Sequence, residues 1–208
     1  MTKKILVNYN FTPDKEWIGD DYLIYDRSDD SIDHLTEFDQ SKVIKTENVG
    51  QVDYDKINYL IDNYDNLPEV FLWAKTNLWK YISKEEYEKV KDNQFFTPLL
   101  TMEHICYSDR NGMVCYYSGG IYHERNDSWY LNSLPAKYFG SYAEFAHEFQ
   151  LPNPQYIPFA PGGNYILTKE RVHRYSVDYY KKMANILPYA RENGEAQMVE
   201  RSYYQLWQ

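Results

Sequence analysis

The chain is predicted to form a single α/β domain with three layers, in which a central mixed, mostly parallel sheet of about six strands is flanked by helices. Three observations predict it. Short apolar, β-branched runs at 4–9, 22–26 and 70–74 end in polar residues, as strands buried on both faces of a parallel sheet do. Between 52 and 64 the apolar positions Ile57, Leu60, Ile61 and Tyr64 fall at i, i+3, i+4 and i+7, which is one face of a helix. Strands and helix then alternate along the first hundred residues, the pattern of βαβ construction. A length of 208 residues suits one large domain.

Taken in order, Lys4-Ile5-Leu6-Val7-Asn8-Tyr9 and Tyr22-Leu23-Ile24-Tyr25-Asp26 are the first two strands, and Val43-Ile44 is a short third. The helix over 52–64 stops at Leu67-Pro68, and Val70-Phe71-Leu72-Trp73-Ala74 follows as a fourth strand. Ser83-Lys84-Glu85-Glu86 is a capping box opening a helix through about 90, and Ser141-Tyr142-Ala143-Glu144 opens another through about 149. Between them, 113–117 and 119–122 read as strands of a hairpin or of a mixed-sheet insertion. The turn Ser108-Asp109-Arg110-Asn111-Gly112 would set Cys106 and Cys115 across from one another, as two thiols or as a bridge. Prolines 152, 154, 158 and 161 direct an extended, loop-like path. A strand at 164–168 and helices near 169–187 and 195–207 complete the chain, without internal repeats.

Composition narrows the function. The net charge of −9 disfavours the phosphate backbone of nucleic acids and anionic lipid. No apolar run approaches the ~20 residues of a membrane span, and Met1-Thr2-Lys3-Lys4 leads into no signal-peptide core, so a soluble intracellular protein is expected. Two cysteines exclude a disulfide scaffold and an all-cysteine zinc site. His123-Glu124 and His147-Glu148 each lack a histidine at the spacing of a zinc-binding helix, and no nucleophile elbow occurs. Aromatic residues reach 18%, with 23 Tyr; this suits pockets that stack ring-shaped ligands, and it is also what A/T-rich codons produce.

Four segments carry candidate chemistry. Tyr25-Asp26-Arg27-Ser28-Asp29-Asp30 places acids and a guanidinium at a strand's carboxyl end, where they can take a ribose hydroxyl and a diphosphate; it also reads as an acidic turn capping a helix over 32–38. Thr46-Glu47-Asn48-Val49-Gly50 precedes the 52–64 helix and can expose amides to an anion, or simply make a tight turn; it lacks the glycine spacing of a P-loop or dinucleotide fingerprint. Pro161-Gly162-Gly163-Asn164, just before a strand, allows a ligand ring to approach the backbone. In the last helix Glu200, beside Arg201, is either a general base or a charge at the helix's amino-terminal end, and Glu195 is the second choice.

In this order the pieces resemble the GT-A-type nucleotide-sugar glycosyltransferases. The layout over 3–77, with its acidic strand end, Asn48-x-Gly50 and a helix containing Asn58, looks like the donor-binding half of that fold. Pro161-Gly162-Gly163-Asn164-Tyr165-Ile166-Leu167-Thr168-Lys169-Glu170 is similar to the Gly-Gly-x-Tyr-x-Leu-Ser-x-Glu segment lining the sugar site in such enzymes, and Glu200-Arg201 resembles their late acidic motif. As a whole the chain also resembles the amino-terminal domain of chlorovirus-encoded glycosyltransferases that build the glycan of a major capsid protein. Where the family usually carries Asp-x-Asp, this chain has Trp73-Ala74-Lys75-Thr76-Asn77.

The resemblance implies a donor half at 1–100, an acceptor half at 101–208, and a domain belonging to a longer chain. It implies a UDP-sugar donor, glucose or a deoxyhexose such as rhamnose, a glycan or glycoprotein acceptor, and the cytoplasm of an infected host cell. Tyr9, Asp26, Arg27 and Lys75 would hold the nucleotide; Gly162, Gly163 and Asn164 would border the sugar; Glu200 or Glu195 would deprotonate the acceptor. Mn²⁺ (or Mg²⁺) is implied, with Asn77, Thr76 and a carboxylate from elsewhere completing a weak shell, or else Lys75 neutralises the diphosphate directly. Two rivals are a carbohydrate-binding module without chemistry and a glycoside hydrolase.

Overall fold

Side-chain alternation along the strands decides the architecture. The computed structural model describes residues 2–29, 34–101 and 107–208, with the backbone alone at Tyr107. Expectations resting on Asp30, on a helix beginning at Ile32, on His104 and on Cys106 therefore lie outside the described residues. The strands are β1 (Lys3–Asn8), β2 (Tyr22–Asp26), β3 (Val43–Lys45), β4 (Val70–Lys75), β5 (Thr97–Pro98), β6 (Tyr107–Asp109), β7 (Gly112–Ser118), β8 (Ile121–Arg125), β9 (Tyr156–Phe159) and β10 (Tyr165–Thr168). The helices are α1 (Lys15–Ile18), α2 (Gln51–Asp62), α3 (Lys84–Val90), α4 (Tyr142–Glu148), α5 (Lys169–Val172), α6 (Val177–Ala184) and α7 (Gly194–Trp207).

Six strands form the main sheet in the order β3-β2-β1-β4-β10-β5. The first four are parallel, whereas β10 runs antiparallel to both β4 and β5. Along β1 and β4, Ile5, Val7, Phe71 and Trp73 enter one core while Leu6, Leu72 and Ala74 enter the other. Both faces are buried, so the strands read as continuous apolar runs without polar alternation. The chain builds outward from β1 to β2 and β3, then crosses through α2 to β4 on the other side of β1. That reversal is the topological switch point, where the carboxyl ends of neighbouring strands leave a crevice. Strand β10, from the second half of the sequence, lies between β4 and β5 of the first, so both halves build one sheet.

A second sheet, β6-β7-β8-β9, is antiparallel throughout and shares the larger core with β1 and β4. The expected hairpin is thus two of its four strands, β7 and β8, and β9 lies where the prolines predicted a loop. Pro158 sits opposite His123 on β9, an edge strand, where a missing N–H costs no ladder bond.

The capping predictions fit: Ser83 and Ser141 accept from the amides of Glu86 and Glu144 at 3.2 and 3.3 Å. The helix predicted through 169–187 is divided into α5 and α6, with Ser176 capping the second. At 34–38 the backbone makes turns rather than a helix. Much of the aromatic surplus is core. Trp73, Tyr203 and Trp207 pack with ring centroids 4.8–5.2 Å apart, and all three are buried.

Gly50 starts α2 at φ +62°, and a Cβ there would lie 2.8 Å from the Leu187 side chain. The amides of Gly50 and Gln51 donate to the carbonyls of Ala190 and Arg191 at 2.8 and 3.1 Å. The start of α2 is thereby fastened to the loop that precedes α7. Among the described residues, no helix is long and apolar enough to cross a membrane.

Candidate functional site

At the carboxyl ends of the parallel strands, short polar side chains tie the strands together. Asn8, fully buried after β1's apolar run, donates through Nδ2 to Asp26 Oδ1 (3.4 Å) and Ser28 Oγ (3.2 Å), and its Oδ1 accepts from the Thr76 hydroxyl at 2.5 Å. Asp26 Oδ1 also accepts from the Ser28 amide (3.1 Å), and Oδ2 pairs with Lys45 (3.3 Å). Burial alone would raise the Asp26 carboxyl, but hydrogen bonds from Ser28 and Asn8 and the Lys45 charge outweigh it and hold it below the usual range. Asp26 orders the strand ends rather than facing a nucleoside.

Arg27 was expected to meet a diphosphate. Instead its side chain is 2% exposed and paired with Asp55 of α2 at 3.2 Å, and Nη2 donates to the Val49 carbonyl. It fixes the β2 end to the turn before α2 and contributes only an edge to the open space beyond.

That space is a cleft of about 370 Å³ lined by Tyr9, Lys75, Gln51, Arg191, Tyr130 and Gln197, among others. It opens at the switch point: Tyr9 follows β1, Lys75 ends β4, and Gln51 begins α2. The Arg191 guanidinium stacks 4.8 Å from the centre of the Tyr9 ring and donates to its hydroxyl. Lys75 Nζ donates to the Tyr81 hydroxyl at 3.3 Å. Burial acts to lower the Lys75 ammonium, yet Tyr81, Glu200 and Asp53 outweigh it and keep it above its ordinary value. In the orientation that satisfies both ends of its amide, Gln197 donates to the Tyr130 and Leu131 carbonyls at 3.0 Å and accepts from Ser133, pinning that loop to α7 as the cleft wall.

Behind Lys75 lies a buried charge cluster. Lys56 of α2, 0% exposed, donates to the Gly163 carbonyl at 2.6 Å, and Asp53 one turn earlier accepts from the Tyr203 hydroxyl at 2.7 Å. Burial pushes the Lys56 ammonium down and, with Glu200, the Asp53 carboxyl up. Glu200 Oε1 accepts from the Gly162 amide at 2.8 Å and Oε2 pairs with Arg201; its side chain keeps 16% exposure. The Glu200 charge acts on both Lys75 and Tyr130, residues of the cleft wall.

The sugar-site expectations for Gly162, Gly163 and Asn164 need correction, because all three are buried. A Cβ on Gly162 would come 2.7 Å from the Tyr81 ring, and one on Gly163 3.2 Å from Tyr203, so the space these glycines leave is filled by side chains. Their φ values of +83° and +62° would require glycine in any case. Asn164 accepts from the Lys75 amide at 2.9 Å and so locks the glycine turn to the end of β4. Gly162→Ala is expected to destabilise the fold by roughly 2–4 kcal/mol, combining left-handed strain with overpacking against Tyr81; urea unfolding measures it.

Glu195 is also corrected. It is 0% exposed, Oε1 accepts from the amides of Lys137 and Tyr138 (2.7 and 2.6 Å), and Oε2 accepts from Tyr189, so it anchors a loop and cannot take an acceptor's proton. As for a divalent metal, Thr76 is 3% exposed with its hydroxyl committed to Asn8, and Asn77 brings only an amide. Sites for such cations are anchored by one or more carboxylates, with amide carbonyls and waters completing the shell; Thr76 and Asn77 supply no carboxylate and stand beside the Lys75 ammonium, so these two residues alone do not fit Mn²⁺ or Mg²⁺. Among the described residues, no group of three or more His, Cys, Asp or Glu is placed to hold a metal.

Comparison with protein-family models, with curated proteins and with solved structures finds no match to this chain. Function therefore has to be argued from the cleft. Of the residues singled out in the sequence, Tyr9, Asn48, Lys75 and an edge of Arg27 line it, and the Glu200 charge acts on Lys75. Sequence reasoning missed Arg191, Tyr130 and Gln197. The only signal for Arg191 was the required glycine at 50, whose amide holds the neighbouring carbonyl.

Proposed function

We propose that the protein is a GT-A-type glycosyltransferase that binds a UDP-sugar in the switch-point cleft and transfers the sugar to a glycan. The observation that carries this reading is the cleft's composition: two cations, Lys75 and Arg191, stand at the carboxyl ends of β1 and β4, with Glu192 the one carboxylate among the described residues of the lining. A diphosphate is the ligand such a place suits, since the two cationic side chains can donate to its oxygens. Tyr9 and Tyr130 offer ring surface to a base or a sugar. The leaving UDP requires positive charge at its phosphates, which Lys75 and Arg191 supply in place of a metal. Glu200, held by the Gly162 amide and Arg201, is the carboxylate whose charge acts most on Lys75, and it serves as general base for the acceptor hydroxyl, giving inversion at the anomeric carbon. By its resemblance to the chlorovirus enzymes, the transferred sugar is glucose or a deoxyhexose such as rhamnose, and the product a capsid-type glycan.

Calorimetric titration with UDP, GDP and CMP, each with and without Mn²⁺, tests the reading. UDP alone is expected to bind, without a metal requirement. Lys75→Ala and Arg191→Ala are each expected to weaken it by about 10–100-fold, the worth of a charge-assisted hydrogen bond. Absence of nucleotide binding under every condition would refute the proposal and favour a carbohydrate-binding module, and strict Mn²⁺ dependence would restore the metal.

A further inference from the structure

A second cavity, of about 440 Å³, shares no residue with the cleft. It lies on the other face of the main sheet, between α1, the amino-terminal part of β1 and α3. Its wall is an aromatic corner in which Trp17, Trp79 and Tyr87 meet edge to face, with centroids 5.2, 5.5 and 6.3 Å apart and interplanar angles of 61–80°. Tyr87 belongs to the smaller core, whereas Trp17 and Trp79 pack against it half-buried and line the cavity as well.

The polar lining is balanced. Lys4, Lys84 and Lys91 stand among Asp14, Glu16, Glu88 and Asp92. Asp14 organises part of it: Oδ1 accepts from the Trp17 amide, while Oδ2 accepts from the Trp79 indole at 3.1 Å and from Lys84 at 2.9 Å. Lys84 also lies 5.3 Å from the centre of the Trp79 ring. Gly19, on the rim at φ +64°, has nothing within 4 Å of where a Cβ would stand, which keeps the mouth open.

Three kinds of ligand can be weighed against that lining. An anion would be opposed by four carboxylates, and a cation by three ammonium groups. A neutral ring with an apolar face and several hydroxyls has no such conflict: the face stacks on Trp or Tyr, and each hydroxyl can donate to a carboxylate and accept from a lysine. We propose that this cavity is a saccharide-binding site, remote from the cleft, that takes one neutral pyranose ring of a glycan. The site stands on its own lining and does not depend on the transferase reading.

Its test uses no nucleotide. The intact chain is titrated with the methyl glycosides of glucose, galactose, rhamnose and N-acetylglucosamine, and with tetramethylammonium, followed by tryptophan fluorescence and saturation-transfer NMR. Saturable binding of at least one glycoside is expected. Trp79→Leu and the exposed double variant Lys84→Ala/Glu88→Ala should each weaken it by about tenfold or more, the combined worth of one stacking contact or two hydrogen bonds. Arg191→Ala, across the molecule, should leave it unchanged. If Trp79→Leu fails to fold, the double variant decides alone, because its side chains lie at the surface. The proposal is overturned if no glycoside saturates, if tetramethylammonium alone binds, or if binding survives the pocket variants and is lost in Arg191→Ala.

Discussion

Arg201→Met is expected to destabilise the fold by about 3–5 kcal/mol, the cost of leaving a buried ionic partner alone. The guanidinium binds Glu124 through Nε and Nη2, both at 2.9 Å, with the two side chains 3% and 4% exposed. It also lies over Phe159 with its carbon 4.5 Å from the ring centre, and 5.2 Å from that of Tyr130. Ser128 donates to the other Glu124 oxygen, so the carboxylate is saturated only while Arg201 is present. Methionine fills much of the same volume but leaves Glu124 charged and unpaired in the interior, and takes Arg201 away from the partly exposed Glu200 as well. Against a typical total stability of about 5–15 kcal/mol, this is a large loss. Replacing both partners, as Glu124→Leu/Arg201→Met, removes the stranded charge and should recover most of it. Urea unfolding of the two single variants and the double closes the cycle. A loss below about 1 kcal/mol in Arg201→Met would mean that water reaches Glu124 and screens its charge.

The main sheet could be read from sequence because it is buried on both faces: β1, β2 and β4 have no polar alternation to blur them, and α2 has an unbroken apolar stripe. Strand β9 was hidden because Pro158 denies a strand unless that strand is at an edge, and edge position is a property of the assembled sheet. The two-residue β5 is too short to carry a period. Lys75 was legible as a cation at a strand end. Arg191 was not, since its place depends on carbonyls at 190 and 191 meeting amides at 50 and 51, a contact without a periodic signature. The opposite error arose at Gly162 and Gly163. Sequence shows that these positions need glycine, but whether a ligand or a tyrosine occupies the vacated space is a tertiary fact, and here Tyr81 and Tyr203 occupy it. Glu195 misled for the same reason. An acid in a helix's first turn looks available until the loop at 137–138 is seen to use it.

Glu200→Gln is expected to lower turnover of a UDP-hexose by ~10²–10⁴-fold while leaving UDP affinity unchanged, the usual signature of a lost general base. A glutamine oxygen can still accept from the Gly162 amide, which keeps the turn at the glycines; its NH2 then faces Arg201 Nη1, which loses that partner, while Arg201 keeps both contacts to Glu124 Oε2 that hold the last helix. What is lost is the charge and the lone pair that would take the acceptor's proton. Two controls separate this from a structural effect. Calorimetry with UDP should give the same affinity for the variant and the parent, since Lys75 and Arg191 are untouched. Glu200→Asp, which keeps the charge but withdraws it by one methylene, should fall between parent and Gln in rate, because proton transfer depends on reach as well as on basicity. Rates equal to the parent in Glu200→Gln would remove this carboxylate from the chemistry and leave it as the clamp that joins Gly162 to Arg201. A joint fall in rate and UDP affinity would instead mean that the Glu200 charge shapes the cleft through Lys75, the cation it most directly influences there.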